Sequence, residues 1–284
     1  MSGMEVFQDS NERHRLTVQN RLLKQYERPV LSRLISGRTG LRVLDVGCND
    51  GSKTAEWFSC GNVERVVGLE YHEELAAEAR RCHGNGKFVF MPCDVESEDF
   101  PERLCRAMEQ WKIEAFDLLY LSFVLMHLEN PALLLKKLRR FLAPGGQIIV
   151  VEANDSASRL EPDPHCLLKG FLDILSCDPY GGDRQCGKTV PELLKKSGYG
   201  NISVESMTVD AREGEVRKKH DIFESFFSYL PQDLAVLRQK EADDSRLRDS
   251  RKWIESNYGE LRKLVLSERA VISMGISIVT ASGE

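Results

Sequence analysis

The chain has 284 residues, a formal net charge of −5, a pI near 5.8, and 42% hydrophobic against 29% charged residues. This is an ordinary globular composition with ample material for a core, and its acidic balance argues against a surface that tracks a phosphate backbone. No apolar run approaches the ~20 residues of a membrane span, residues 1–15 carry no apolar signal core, and eight cysteines without C-x-x-C spacing fit reduced thiols, so a cytoplasmic protein is expected.

The first element is a helix over Asn11 to Ile35, with Leu16, Leu22, Leu23, Tyr26, Val30, Leu31 and Leu34 at helical spacing. Pro29 predicts a kink or a break into two helices, and Gly37 and Gly40 end the element. Next comes Val43-Leu44-Asp45-Val46-Gly47-Cys48-Asn49-Asp50-Gly51, a short buried strand that breaks into a glycine turn, followed by a helix over Ser52 to Phe58. A ligand is expected at the strand's carboxyl end. The turn lacks the G-x-G-x-x-G of pyrophosphate sites, and Asp45 would repel a phosphate while accepting from an ammonium. A ligand with a cationic amino-acid part fits better than a nucleotide phosphate.

This stretch resembles the first motif of the class I S-adenosylmethionine-dependent methyltransferases, V-L-D-x-G-x-G-x-G, with Asn49 in place of the middle glycine. The resemblance runs in ordered motifs from about Arg42 to Glu152, and more loosely to the C-terminus. It implies an α/β fold: a Rossmann-like seven-stranded sheet, last strand antiparallel, with helices on both faces. It implies S-adenosylmethionine as cofactor, with S-adenosylhomocysteine as product, and places Asp45, Gly47, Cys48 and Asn49 against it. It also makes residues 1–40 an N-terminal helical cover, from which Tyr26 either reaches the acceptor or is simply core.

Arg65 to Glu70 is a second strand ending in an acid, where a carboxylate can accept from both ribose hydroxyls. Glu70 also matches the family's ribose-binding acid, and Tyr71 beside it can stack on the adenine. His72 to Cys82 reads as a helix stopped by Gly84-Asn85-Gly86. Lys87 to Met91 is the third strand. The resemblance puts Asp94 on the adenine amine and the Val95 N–H on a ring nitrogen; a turn-forming Asp is the alternative. Ser97 is expected to cap a helix to about Trp111. Phe116 to Ser122 is the fourth strand, and the segment from Ser122 to Leu128 lines its carboxyl end. Ser122 is assigned to the cofactor, Phe123 to the acceptor, and His127 is a candidate base or a packed, hydrogen-bonded residue. Asn130-Pro131 starts a helix to Leu142, and Gln147 to Val151 follows Pro144-Gly145-Gly146 as the fifth strand.

Beyond Glu152 the chain becomes polar and turn-rich. A helix over His165 to Leu175 precedes a loop, Cys177 to Arg184, expected over the site. Within this half, His165, Tyr180 and Arg184 are acceptor-binding candidates. Thr189 caps a helix over Pro191 to Lys196, Ile202 to Val209 is the sixth strand, and Ala270 to Thr280 is the last. The expected organisation is a core of residues 41–212 and 269–284, with residues 213–268 as a helical insert. In that insert Phe223, Phe226, Phe227, Tyr229, Leu230, Leu234 and Leu237 form an apolar face that either packs on the sheet or closes over the acceptor.

These readings point to methyl transfer onto N or O of a small molecule by a monomer or homodimer that uses neither nucleic acid nor membrane. A nucleic-acid methyltransferase is opposed by Leu121-Ser122-Phe123-Val124 where such enzymes carry N-P-P-Y or D-P-P-Y. A cofactor-binding protein without catalysis remains the other alternative. No metal is expected: Glu152, Asn154 and Asp155 share one loop, a poor match to a magnesium site, and Cys166, Cys177 and Cys186 are too widely spaced for a thiol site.

Overall fold

The computed structural model describes residues 10–176, 182–231 and 245–283. Its helices are α1 (Ser10–Ile35), α2 (Ser52–Trp57), α3 (Glu73–His83), α4 (Phe100–Trp111), α5 (Pro131–Arg139), α6 (Leu167–Leu175), α7 (Cys186–Lys196), α8 (Val216–Phe226), α9 (Ser245–Trp253) and α10 (Gly259–Val265). The strands are β1 (Leu41–Val46), β2 (Val63–Glu70), β3 (Phe88–Pro92), β4 (Phe116–Ser122), β5 (Leu142–Ala153), β6 (Arg159–Glu161), β7 (Tyr199–Ala211) and β8 (Val271–Gly283).

The strand order is β3-β2-β1-β4-β5-β8-β6, with β7 paired to β8. The pairs β1–β2, β2–β3, β1–β4 and β4–β5 are parallel, while β6 and β8 run antiparallel with Leu160 opposite Ile272. The expected doubly wound sheet is therefore present, with β6 as an eighth strand. Three residues, alternating exposed–buried–exposed, are too few to show as a pattern in sequence. The chain steps outward from β1 through β2 to β3, then returns to β4 on the other side of β1. Their shared carboxyl edge is thus a topological switch point, where such sheets bind ligands. The inner strands are buried on both faces, which is why β1, β2 and β4 read as continuous apolar runs.

The chain forms two compact units. One comprises Tyr26–Glu152, Cys186–Glu205 and Ser277–Glu284, and carries β1 to β4 with α2 to α5. Its core includes Val43, Leu44, Val66, Val67, Leu69, Leu118, Leu119, Leu121 and Ile148 to Val151. Several helix ends differ from the sequence reading. Pro29 lies inside α1, which continues through it rather than breaking in two. The first turn of α4 opens at Asp99 with Pro101, not at Ser97, whose hydroxyl donates to Asp99 instead. Thr189 lies inside α7, donating to the Cys186 carbonyl at 3.0 Å, so it caps nothing. Asn130 does cap α5, its Oδ1 accepting from the Leu133 N–H at 3.0 Å.

The other unit comprises Met1–Gln25, Ala153–Gln185 and Ser206–Ile276. Here the apolar face of the insert is a core. Phe227 stacks between Phe171 of α6 and Phe223 of α8, with centroids 4.7 and 5.3 Å away, and the Tyr258 hydroxyl donates to the Phe227 carbonyl at 3.0 Å. Phe171, Phe226, Phe227 and Leu230 are fully buried. Leu234 and Leu237 lie outside the described residues. The fully buried Lys219 donates to the Ser267 and Glu268 carbonyls, each at 2.7 Å, and so ties α8 to the turn before β8.

Candidate functional site

The switch point is shaped by backbone conformations that side chains rarely tolerate. Gly47 and Gly51 have φ of 74° and 75°, and Asn49 between them has φ of 51°. Asn is among the few residues with a side chain that enter this left-handed region readily, which accounts for Asn49 standing where the motif's middle glycine would be. Its Oδ1 accepts from the Asp50 N–H at 2.7 Å and stiffens the turn. A Cβ on Gly47 would lie 2.6 Å from Val124 Cγ2, and one on Gly68 would lie 2.4 Å from the Phe90 ring and 2.8 Å from Cys48 Sγ. The buried Cys48 thus packs under the turn against β2.

Glu70, last residue of β2 and 7% exposed, faces this turn. One carboxylate oxygen accepts from the Asn49 N–H at 2.8 Å, the other from the His72 N–H at 3.0 Å. Burial raises its pKa against the pull of those bonds. Asp94, half-buried after β3, accepts from the Glu96 N–H at 2.9 Å, the turn-forming geometry weighed from the sequence. Val95 beside it is half-buried, and Tyr71 is 42% exposed, edge-on to His72.

Asp45 lies inside β1, buried, and accepts from the Thr54 hydroxyl at 2.5 Å. Burial pushes its pKa up to about 7, with Glu27 and Glu70 adding repulsion, while Thr54 and Lys53 pull it down. The native state therefore keeps a proton that the unfolded chain has released between about pH 4 and 7. The sign follows: Asp45 lowers stability progressively as pH rises through that window, and Glu70 acts in the same direction. Asp45→Asn should flatten the fall in unfolding free energy between pH 5 and 7.5 in urea titrations; an unchanged slope would place the titration elsewhere.

Around the end of β4 stands a polar cluster that the sequence reading missed. Glu27 of α1, fully buried, accepts from Lys53 Nζ at 2.9 Å and, at its other oxygen, from the Tyr120 hydroxyl. Lys53 Nζ also donates to Ser122 Oγ at 2.8 Å. A signal was available: Glu27 falls on the apolar face of α1, one turn from Leu23 and from Leu31. The structural role of Glu152 was missed too. Fully buried, the residue accepts at Oε1 from the N–H groups of Val124 and Leu125 at 3.0 and 2.7 Å. These bonds fix the loop after β4, where Phe123 has φ of 55° and its N–H meets the Val151 carbonyl at 2.8 Å.

The remaining candidates are dispersed. His127 is exposed at the end of a single 3₁₀ turn, Leu125–His127. Tyr26 is half-buried on α1. In the other unit, His165 is 67% exposed and 3.9 Å from Glu260. The Arg184 guanidinium is buried in a two-pronged pair with Asp155, both bonds 2.9 Å. Tyr180 lies outside the described residues.

A family profile described as a methyltransferase domain matches residues 44–150, the stretch holding the glycine turn, Glu70, Asp94 and the loop after β4. Residues 44–150 are thus a methyltransferase domain by sequence. Relatives of this chain include juvenile hormone acid O-methyltransferase of Bombyx mori, 24% identical over 61% of this chain and 61% of that protein. Malonyl-[acyl-carrier protein] O-methyltransferase of Erwinia billingiae is 28% identical over 39% of each chain. Phosphoethanolamine N-methyltransferase of Triticum aestivum is 23% identical over 81% of this chain and 41% of that one. The matches thus span less than two thirds of these relatives' own length. Phosphoethanolamine N-methyltransferase 2 of Haemonchus contortus, solved with phosphomonomethylethanolamine and S-adenosylhomocysteine, superimposes with a TM-score of 0.55 at 16% identity, over 99% of this chain and 60% of that one. At this identity the likeness establishes the fold.

Proposed function

We propose that this methyltransferase transfers the methyl group of S-adenosylmethionine to nitrogen or oxygen of a small-molecule acceptor. The observation that carries the reading is the pairing of Glu70, a buried carboxylate at the tip of β2, with the strained Gly47–Gly51 turn at the switch point. Both oxygens of Glu70 retain accepting capacity beyond the Asn49 and His72 N–H groups, as a ribose diol requires. Asp94 and Val95 serve the adenine, Tyr71 stacks on it, and Asp45 receives the amino-acid ammonium. The cofactor, when bound, supplies an electrophilic methyl on a sulfonium. The protein's part is therefore to hold the acceptor in line and keep water out. Glu152 sets the loop after β4 that carries Phe123, and His127 is a group on this edge able to take an acceptor proton.

The acceptor class is supported by the acidic balance of the chain and by relatives named for juvenile hormone acid and phosphoethanolamine. Incubation with methyl-labelled cofactor and a fractionated metabolite extract should place label in low-mass material, at a rate unchanged after dialysis against EDTA. Label in nucleic acid, or tight S-adenosylhomocysteine binding with no transfer to any fraction, would overturn the small-molecule reading. A loss restored by magnesium would overturn metal independence.

A further inference from the structure

The ion pair between Glu27 and Lys53 is poorly explained as a source of stability. A fully buried carboxylate and a nearly buried ammonium, 0% and 15% exposed, lose hydration that their attraction seldom outweighs, and apolar replacements of such pairs are often neutral. Its placement is informative. Lys53 stands in the first turn of α2, two residues after Gly51, and its Nζ reaches Ser122 Oγ at 2.8 Å at the carboxyl end of β4. In the β1–β4 register Val46 faces Leu121, so Ser122 is the next step, beside Gly47. The ammonium is also close enough to Asp45 to pull its pKa down. A cation and a buried acid thus flank the first glycine of the turn.

Lys53 Nζ has three N–H donors. Glu27 and Ser122 take two, and Tyr120 fixes Glu27 in turn. We infer that Lys53, held by Glu27, receives the carboxylate of the cofactor's amino-acid part, so that Asp45 and Lys53 together read a zwitterion and the enzyme discriminates against donors and products that lack the carboxylate. This rests on the cofactor reading above. It also assigns Glu27 as a positioning residue, through which α1 completes the site.

The test is calorimetry with two ligands, S-adenosylhomocysteine and its decarboxylated analogue, S-adenosyl-3-thiopropylamine. The wild type should bind the analogue about ten- to a hundredfold more weakly, the worth of a hydrogen bond between charged groups. Lys53→Met should weaken S-adenosylhomocysteine by that factor and leave the analogue within about threefold of its wild-type affinity. Because that variant strands the Glu27 charge, Glu27→Gln/Lys53→Met is measured beside it, and the same loss of preference is expected there. Thermal unfolding confirms that each variant is folded. Equal weakening of both ligands, or an undiminished preference in the folded double variant, would reduce the pair to a structural tie and overturn the proposal. A wild type that binds neither ligand would overturn the cofactor reading itself, a separate failure.

Discussion

Glu70→Ala should weaken S-adenosylhomocysteine binding by about 2–4 kcal/mol, roughly thirty- to a thousandfold, the cost of losing two hydrogen bonds to one charged acceptor. The variant also removes the acceptor for the Asn49 and His72 N–H groups, so part of the loss comes from a loosened turn. Ligand substitution separates the two contributions. A 2′,3′-dideoxy analogue of S-adenosylhomocysteine cannot use Glu70 as a diol acceptor, so it registers only the loosening. The expected calorimetric result is a much larger loss for the parent ligand than for the analogue, with Glu70→Gln between wild type and alanine. Equal losses for both ligands would make Glu70 a brace for the glycine turn and nothing more.

What could be read in advance follows from which physics is local. The strand–glycine turn–helix unit was legible because apolar runs, positive-φ glycines and a strand-end acid are each confined to a few neighbouring residues. Asn49 was readable as a substitution, although its 51° φ was needed to say why it is tolerated. Helix starts were less secure. Ser97 and Thr189 are good capping residues by type, yet Pro101 sets the first turn of α4, and α7 begins before Thr189. Capping chemistry is degenerate in sequence, and tertiary contacts decide which candidate is used.

Side-chain partners distant in sequence were not legible at all. Glu27 meets Lys53 and Tyr120 across 26 and 93 residues, and no spacing rule connects them. Glu152 was noticed only as a conceivable metal ligand. Its role in holding the Val124 and Leu125 N–H groups appears once β4 and β5 are seen side by side. The same holds for Phe227, whose apolar face was visible but whose partner Phe171 was not.

Arg184 gives the sharpest separation between a residue's type and its use. An arginine in a turn-rich loop invites a reading as an acceptor-binding group, but in the structure its guanidinium is 8% exposed and grips Asp155, 2% exposed, through two parallel bonds. The Asp155 N–H also meets the Arg184 carbonyl at 3.1 Å, so side chains and backbone clamp the same two segments. Asp155→Ala or Arg184→Met alone should cost about 3–5 kcal/mol of unfolding free energy, because each leaves a buried charge without its partner. The combined variant Asp155→Leu/Arg184→Met removes both charges and should recover most of that loss, to within about 1–2 kcal/mol of wild type. Urea unfolding of the four proteins measures this directly. If the pair is a clamp, the stable combined variant should retain the KM for the methyl acceptor within about twofold, since no contact with the bound acceptor is removed. A combined variant that is fully stable but shows a KM raised tenfold or more would return Arg184 to the acceptor, with Asp155 as the residue that aims it.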